Sequence, residues 1–150
     1  MIKKISRGSI VAEPNIVWNT FIEILATENI AELAPLQQRA RLVFQYDAEV
    51  QDGGHLQFFE DSAGGDADSA LEALIAFELF EQAEIIKSAA APRRSKTRTP
   101  ILTAAEYENQ ALEGEFEEFD SAYYACESSV TEAFELHLKR HFDEYLEMVE

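Results

Sequence analysis

Several groups of residues in this chain carry side chains able to do chemistry. His55 follows Gly53-Gly54, and Glu49 lies nearly two helical turns before it, so a general acid–base couple could be assembled there. No nucleophile with its own base is recognisable nearby, and the glycines lack a phosphate-cradling pattern. A double glycine between two helices is explained by backbone conformation and close packing. The turn therefore reads as structural, with Glu49 and Gln57 hydrogen-bonding its backbone. His137 and His141 stand four apart, hence on one helix face, and Glu144 lies three further on, a spacing able to hold a metal. Yet Leu138-Lys139-Arg140 lacks the glutamate that a zinc-protease helix places after its first histidine, and it sets two cations beside the would-be ion. Histidines at a helix C-terminus, favoured by the dipole, are the plainer reading. Cys126 has Glu127 beside it and no Lys or Arg near it in sequence, so its thiol is a poor nucleophile and is expected to pack. No catalytic residue, metal ligand or cofactor is expected.

The carboxylates form the remaining constellation. The chain carries 29 acidic and 12 basic residues, for a net charge of −17. Residues 42–86 hold eleven Asp or Glu and no Lys or Arg, and residues 101–150 hold fourteen acids against two bases. The segment from Asp61 to Asp68 does not match the twelve-residue calcium loop. A duplex carries one charge per roughly 1.7 Å, so seventeen charges correspond to about 30 Å of DNA. A compact domain of this length is roughly 35–40 Å across, so its linear charge density is of the same order. Carboxylates at i and i+3 or i+4 are rooted about 5–6 Å apart, and flexible side chains can widen that towards a phosphate spacing. The expected partner contacts are Glu113, Glu115, Glu117, Glu118 and Asp120, followed by Asp61, Asp66 and Asp68. Each would stand in for a phosphate oxygen accepting from Arg or Lys. Phe116 and Phe119 are expected to anchor the first group to the core.

The elements that must position these groups are helical throughout. Val17, Phe21, Ile24 and Leu25 follow the spacing of a helix burying one stripe, entered through Pro14-Asn15. Pro35 suits a first helical position, and the helix it opens, with Leu36, Ala40, Val43, Phe44 and Val50 inward, should stop at Gly53. A short segment carries Leu56, Phe58 and Phe59. A fourth helix, capped by Asp66 or Asp68 and running to about Ala90, is apolar on most sides and is expected at the centre. The basic segment 91–102, with Pro92 and Pro100 enclosing Arg93, Arg94, Lys96 and Arg98, reads as a loop. Thr103-Ala104-Ala105-Glu106 has capping-box spacing. The last helix, near residues 127–147, buries Val130, Phe134, Leu138, Phe142 and Tyr145. No strand pattern is recognisable, and residues 1–13 read as an N-terminal extension. The expectation is an all-α single domain spanning 1–150, six or seven helices around a central apolar helix.

Composition sets the outer bounds. Apolar residues make up 47% and aromatics 11% of 150 residues, enough for one packed core. No stretch approaches the roughly 18–20 apolar residues needed to span a bilayer. The basic start lacks an apolar run behind it, so export by a signal peptide is not expected. The lone Cys126 excludes an internal disulfide and suits a reducing cytoplasm. A charge of −17 repels nucleic acid and anionic membranes and favours a basic protein partner.

Tyr46, Glu49, Val50, Asp52-Gly53-Gly54, Gln57 and Phe58-Phe59, together with Trp18 and the Gly64-Gly65 turn, resemble the signature of a bacterial family of small acidic helical proteins, that of DNA mimic protein nineteen. The similarity covers residues 17–90 best. Asp52 stands where asparagine is commoner, and the basic segment 93–98 departs from a uniformly anionic surface. The resemblance implies an all-α cytoplasmic protein, not an enzyme, whose acidic face occupies the DNA-binding surface of a helix-turn-helix transcription regulator and blocks operator binding. The signature residues hold the fold, and mimicry resides in surface acids outside the signature. An immunity-type inhibitor of a basic toxin or nuclease, and an acidic scaffold protein or metal-dependent enzyme, are the alternatives. Pairing with a second copy is left open.

Overall fold

The computed structural model describes residues 1–61, 67–95, 102–106 and 114–150. Strand β1 (Lys3–Ser6) leads into α1 (Arg7–Ala12), whose start is capped by the Ser6 hydroxyl accepting from the Ser9 amide at 3.1 Å. Helix α2 (Ile16–Leu25) buries Phe21, Ile24 and Leu25, the stripe read from the sequence. Helix α3 (Pro35–Asp61) opens at Pro35 and bends at Gly53-Gly54. Helices α4 (Ala67–Ala76), α5 (Phe80–Ser95), α6 (Glu117–Tyr124) and α7 (Val130–Arg140) follow, and strand β2 (Leu146–Val149) closes the chain. The architecture is an α-helical bundle with one small sheet. Among the described residues no helix is long and apolar enough to cross a membrane.

The first correction is the sheet. No strand was expected, yet β1 and β2 pair in parallel, Lys3 opposite Leu146 through Ser6 opposite Val149. Four-residue strands are too short to show an alternating pattern, and each gains its partner only from the far end of the chain. Residues 1–13 are therefore part of the fold and not an extension. Gln37, fully buried, ties this seam to α3. Its amide donates to the carbonyls of Met1 (2.6 Å) and Glu144 (2.8 Å), and its Oε1 accepts from the Met1 amine and the Ala34 amide, both at 3.0 Å.

The apolar stretch expected to form one central helix is two helices, broken at Phe77-Glu78-Leu79 with Glu78 at φ +58°. The centre is instead α3, which packs on α2, α4, α6 and α7. Helix α5 continues through Pro92 to Ser95, so the start of the basic segment is helical, while 96–101 lie outside the described residues. The final helix is shorter than its apolar periodicity promised. It begins after Ser129, whose hydroxyl accepts from the Glu132 amide, and ends at Arg140. Phe142 and Tyr145 still pack inward, but from a 3-10 turn (Phe142–Glu144) and the approach to β2. Half of the capping box is present: Thr103 Oγ1 accepts from the Glu106 amide at 3.1 Å, while Glu106 reaches back past Thr103 to the Leu102 amide at 2.7 Å.

Candidate functional site

The double glycine makes α3 turn. Gly54 has φ +74° and ψ −174°, a conformation essentially reserved for glycine. A Cβ placed there would lie 2.4 Å from Asp120 Oδ2. The glycine thus does two things: it bends the backbone and lets a carboxylate from α6 approach it. Asp120 Oδ1 accepts from the His55 amide at 2.8 Å and from His55 Nδ1 at 2.6 Å. With the proton on Nδ1, His55 Nε2 is left to accept from the Tyr46 hydroxyl at 2.7 Å. Burial drives both titrations apart: it lowers the His55 pKa against the opposing pull of Asp120, and it raises the Tyr46 phenol well above its ordinary value. The imidazole is neutral and fully enclosed.

Helix α6 is fastened to α3 by a single face. Asp120, Tyr123 and Tyr124, at i, i+3 and i+4, bond His55, the Asp47 carboxylate and the Val50 carbonyl (3.0 Å) respectively. Tyr123 also stacks edge-on to Tyr46 at 5.6 Å. Phe116, at the start of α6, packs its ring 5.2 Å from Phe59, as the anchoring role read for it requires, and Phe119 is partly buried beside it. Tyr46, Phe58 and Phe59 of the signature, and His55 between them, are all buried around this joint.

Glu49 and Gln57 flank the turn on its two sides. Glu49 receives Gln45 Nε2 at 3.3 Å, one turn back along α3. Gln57 lies against Gly53, where an added Cβ would come within 2.2 Å of its Oε1. The carboxylate that holds the turn's backbone is Asp120, 65 residues away in sequence, which no local pattern could have named. Of the expected partner contacts, Asp120 is thus engaged on its inner side. Glu113 and Asp66 lie outside the described residues.

The remaining expected contacts are exposed. Glu117 and Glu118 occupy the first turn of α6, where negative charge also complements the helix dipole. The Phe59–Phe116 stack brings that turn to the end of α3, where Asp61 is exposed. Asp68 stands in the first turn of α4, also exposed; Asp68 and Glu115 have interactions of their own. Among the described residues, the Lys and Arg side chains that pair with carboxylates, Lys3 with Glu23, Lys4 with Glu147 and Arg7 with Glu150, lie in or beside β1. Glu81, in the first turn of α5, has an internal duty. It accepts from the Ser128 amide and hydroxyl and from the Glu127 amide, which hold its pKa down and dock the loop before α7.

Each histidine of the i, i+4 pair has a partner of its own. His137 Nε2 lies 2.8 Å from the Tyr145 hydroxyl, and His141 Nδ1 meets Glu144 Oε1 at 2.9 Å. Burial, with His141 beside it, lowers the His137 pKa to about 4. Among the described residues no group of three or more His, Cys, Asp or Glu is placed to hold a metal ion. The Cys126 thiol is half-buried, donates to the Ala122 carbonyl at 3.4 Å, and is pushed up by burial and by Glu81. It is not an activated nucleophile.

The family model described as DMP19-like protein matches residues 31–145, which takes in the kink, the clamp made by α6 and the acidic segments around them. No curated protein and no solved structure matches the chain.

Proposed function

The chain belongs to the DMP19-like protein family, and from that premise we propose that it is a DNA-mimicking binding protein. In this reading its acidic face occupies the DNA-binding surface of a basic protein, a helix-turn-helix transcription regulator, and blocks operator binding. It acts in the cytoplasm and is not an enzyme. The observation that carries the reading is the placement of charge. Residues 42–86 hold eleven acids with no Lys or Arg, and the exposed Glu117 and Glu118 adjoin that stretch near its exposed Asp61, at the end of α3. The carboxylates sit on a scaffold fixed by the α3–α6 joint, so they need little ordering on binding. The kink serves this function indirectly: it sets the angle at which α6 presents its first turn.

The test is an affinity capture from the native cytosol, eluted first with rising salt and then with competing duplex. A partner that grips carboxylates as it grips phosphates should be released by both, with a steep dependence on salt. Recovery of a helix-turn-helix protein displaced by duplex supports the proposal. Recovery of a basic nuclease or toxin, held regardless of operator DNA, would replace it with an immunity-type inhibitor.

A further inference from the structure

Two arginines stand apart from this acidic surface. Arg39 on α3 and Arg140 in the last turn of α7 line the same pocket, of about 230 Å³. Among the described residues no hydrogen bond or ion pair engages either guanidinium. Carboxylates outnumber cations 29 to 12 in this chain, so two exposed arginines facing one cavity without an internal partner are the reverse of what charge balance alone would produce. Between them the lining is mixed, with apolar side chains beside Glu78 and two histidines. Leu36, Phe77 and Leu136 line it, and the buried His137 ring closes one side, stacked 4.7 Å from Phe77. The other histidine at the rim, His141, already holds Glu144. The mouth is bounded by the break between α4 and α5, where Glu78 takes its left-handed backbone conformation. A non-glycine residue in that region is uncommon and costs energy that the surrounding structure must supply.

We propose that this pocket binds a compact organic monoanion, a carboxylate carried on a single aromatic ring or a branched aliphatic chain. The two guanidinium forks match the planar carboxylate, which each can hold through paired N–H donors. The apolar lining takes the body of the ligand. The volume lies below the roughly 300 Å³ at which pockets for drug-sized ligands begin, so the body is small. Glu78 at the rim and the chain's net charge of −17 disfavour multiply charged anions such as phosphate. The site is separate from the α3–α6 joint and from the acidic end of the molecule, and it does not depend on the DNA-mimic reading.

Phenylacetate is the probe, with phenylacetamide as its neutral isostere and inorganic phosphate as the bare anion. Binding to the full chain is followed by calorimetry and by ¹H–¹⁵N spectra. Saturable phenylacetate binding is expected, with shifts concentrated at residues 76–78 and 133–141. The amide should bind at least about tenfold more weakly, and Arg39→Gln and Arg140→Gln should each weaken phenylacetate about tenfold, as loss of a hydrogen bond to a charged group implies. Both arginines are exposed and unpaired, so the two variants should melt with the parent. Absence of saturable binding overturns the proposal. So does equal affinity for acid and amide, or phosphate binding as tightly as phenylacetate.

Discussion

Replacing Gly54 by alanine perturbs the joint on which the presentation of α6 depends. Alanine would have to adopt φ +74° with ψ −174°, at a cost of about 1–3 kcal/mol. Its Cβ would meet Asp120 Oδ2 at 2.4 Å and Cγ at 2.9 Å. That carboxylate cannot swing aside freely, because Oδ1 is held by the His55 amide and by Nδ1. Moving it forfeits bonds worth about 1.5–3 kcal/mol each and leaves a buried imidazole short of a partner. With one of the two bonds lost, the total should reach about 3–6 kcal/mol, against a domain stability of about 5–15 kcal/mol. Urea unfolding followed by circular dichroism, with linear extrapolation to water, measures it. The diagnostic comparison is the same substitution in an Asp120→Ala background. There the added methyl has room, and its cost should shrink to the backbone share alone, a coupling of about 2 kcal/mol. A Gly54→Ala cost under about 1 kcal/mol, or an equal cost in both backgrounds, would refute the reasoning.

Glu117→Gln combined with Glu118→Gln should leave stability within about 0.5 kcal/mol, since both side chains are exposed, while lowering recovery of the basic partner and flattening its salt dependence; unchanged salt dependence would remove those acids from the interface. His137 should titrate near pH 4 when its ring protons are followed by NMR. Its depressed pKa means that below about pH 6.5 the unfolded chain takes up a proton that the folded chain refuses, so this contribution, about 3 kcal/mol in full, is present above that pH and lost as pH falls towards 4. A ring titrating at or above 6.5 would contradict the burial argument. Gln37→Ala removes four hydrogen bonds at the terminal seam and should cost about 3 kcal/mol, with amide-exchange protection lost in β1 before α3. Equal loss in both elements would show that Gln37 does not act locally.

The helices were legible wherever a local signal marked them. Pro35 opens α3, Gly53-Gly54 bends it, and Phe21, Ile24 and Leu25 face inward from α2, each as read from spacing and backbone preference alone. Non-local geometry was not legible. The parallel strands pair residues from opposite ends of the sequence, and periodicity within either end says nothing of that. The break after Ala76 carries no glycine or proline; Glu78 takes the left-handed conformation instead, so the apolar run read as continuous. Periodicity overshot α7 because Phe142 and Tyr145 remain inward-facing after the helix has ended. At the joint, the signature supplied Tyr46 and the glycines, and His55 stood out beside them, but their clasp is Asp120, which the sequence marked only as one acid among several. The pairing of Arg39 with Arg140 in one pocket likewise needed the packing of α7 on α3.

The parallel seam has a bearing on how the molecule comes into being. β1 is synthesised well before β2, so until β2 emerges Ile5 has no strand to lie beside and Gln37 lacks the Glu144 carbonyl. The helical body can assemble early from near neighbours, whereas the stitch that joins β1 to β2 waits for the later strand and is the slow, entropically demanding step. Folding should therefore finish with these two strands meeting, and a bulky group attached beside either strand should delay that final event more than it disturbs the bundle already formed.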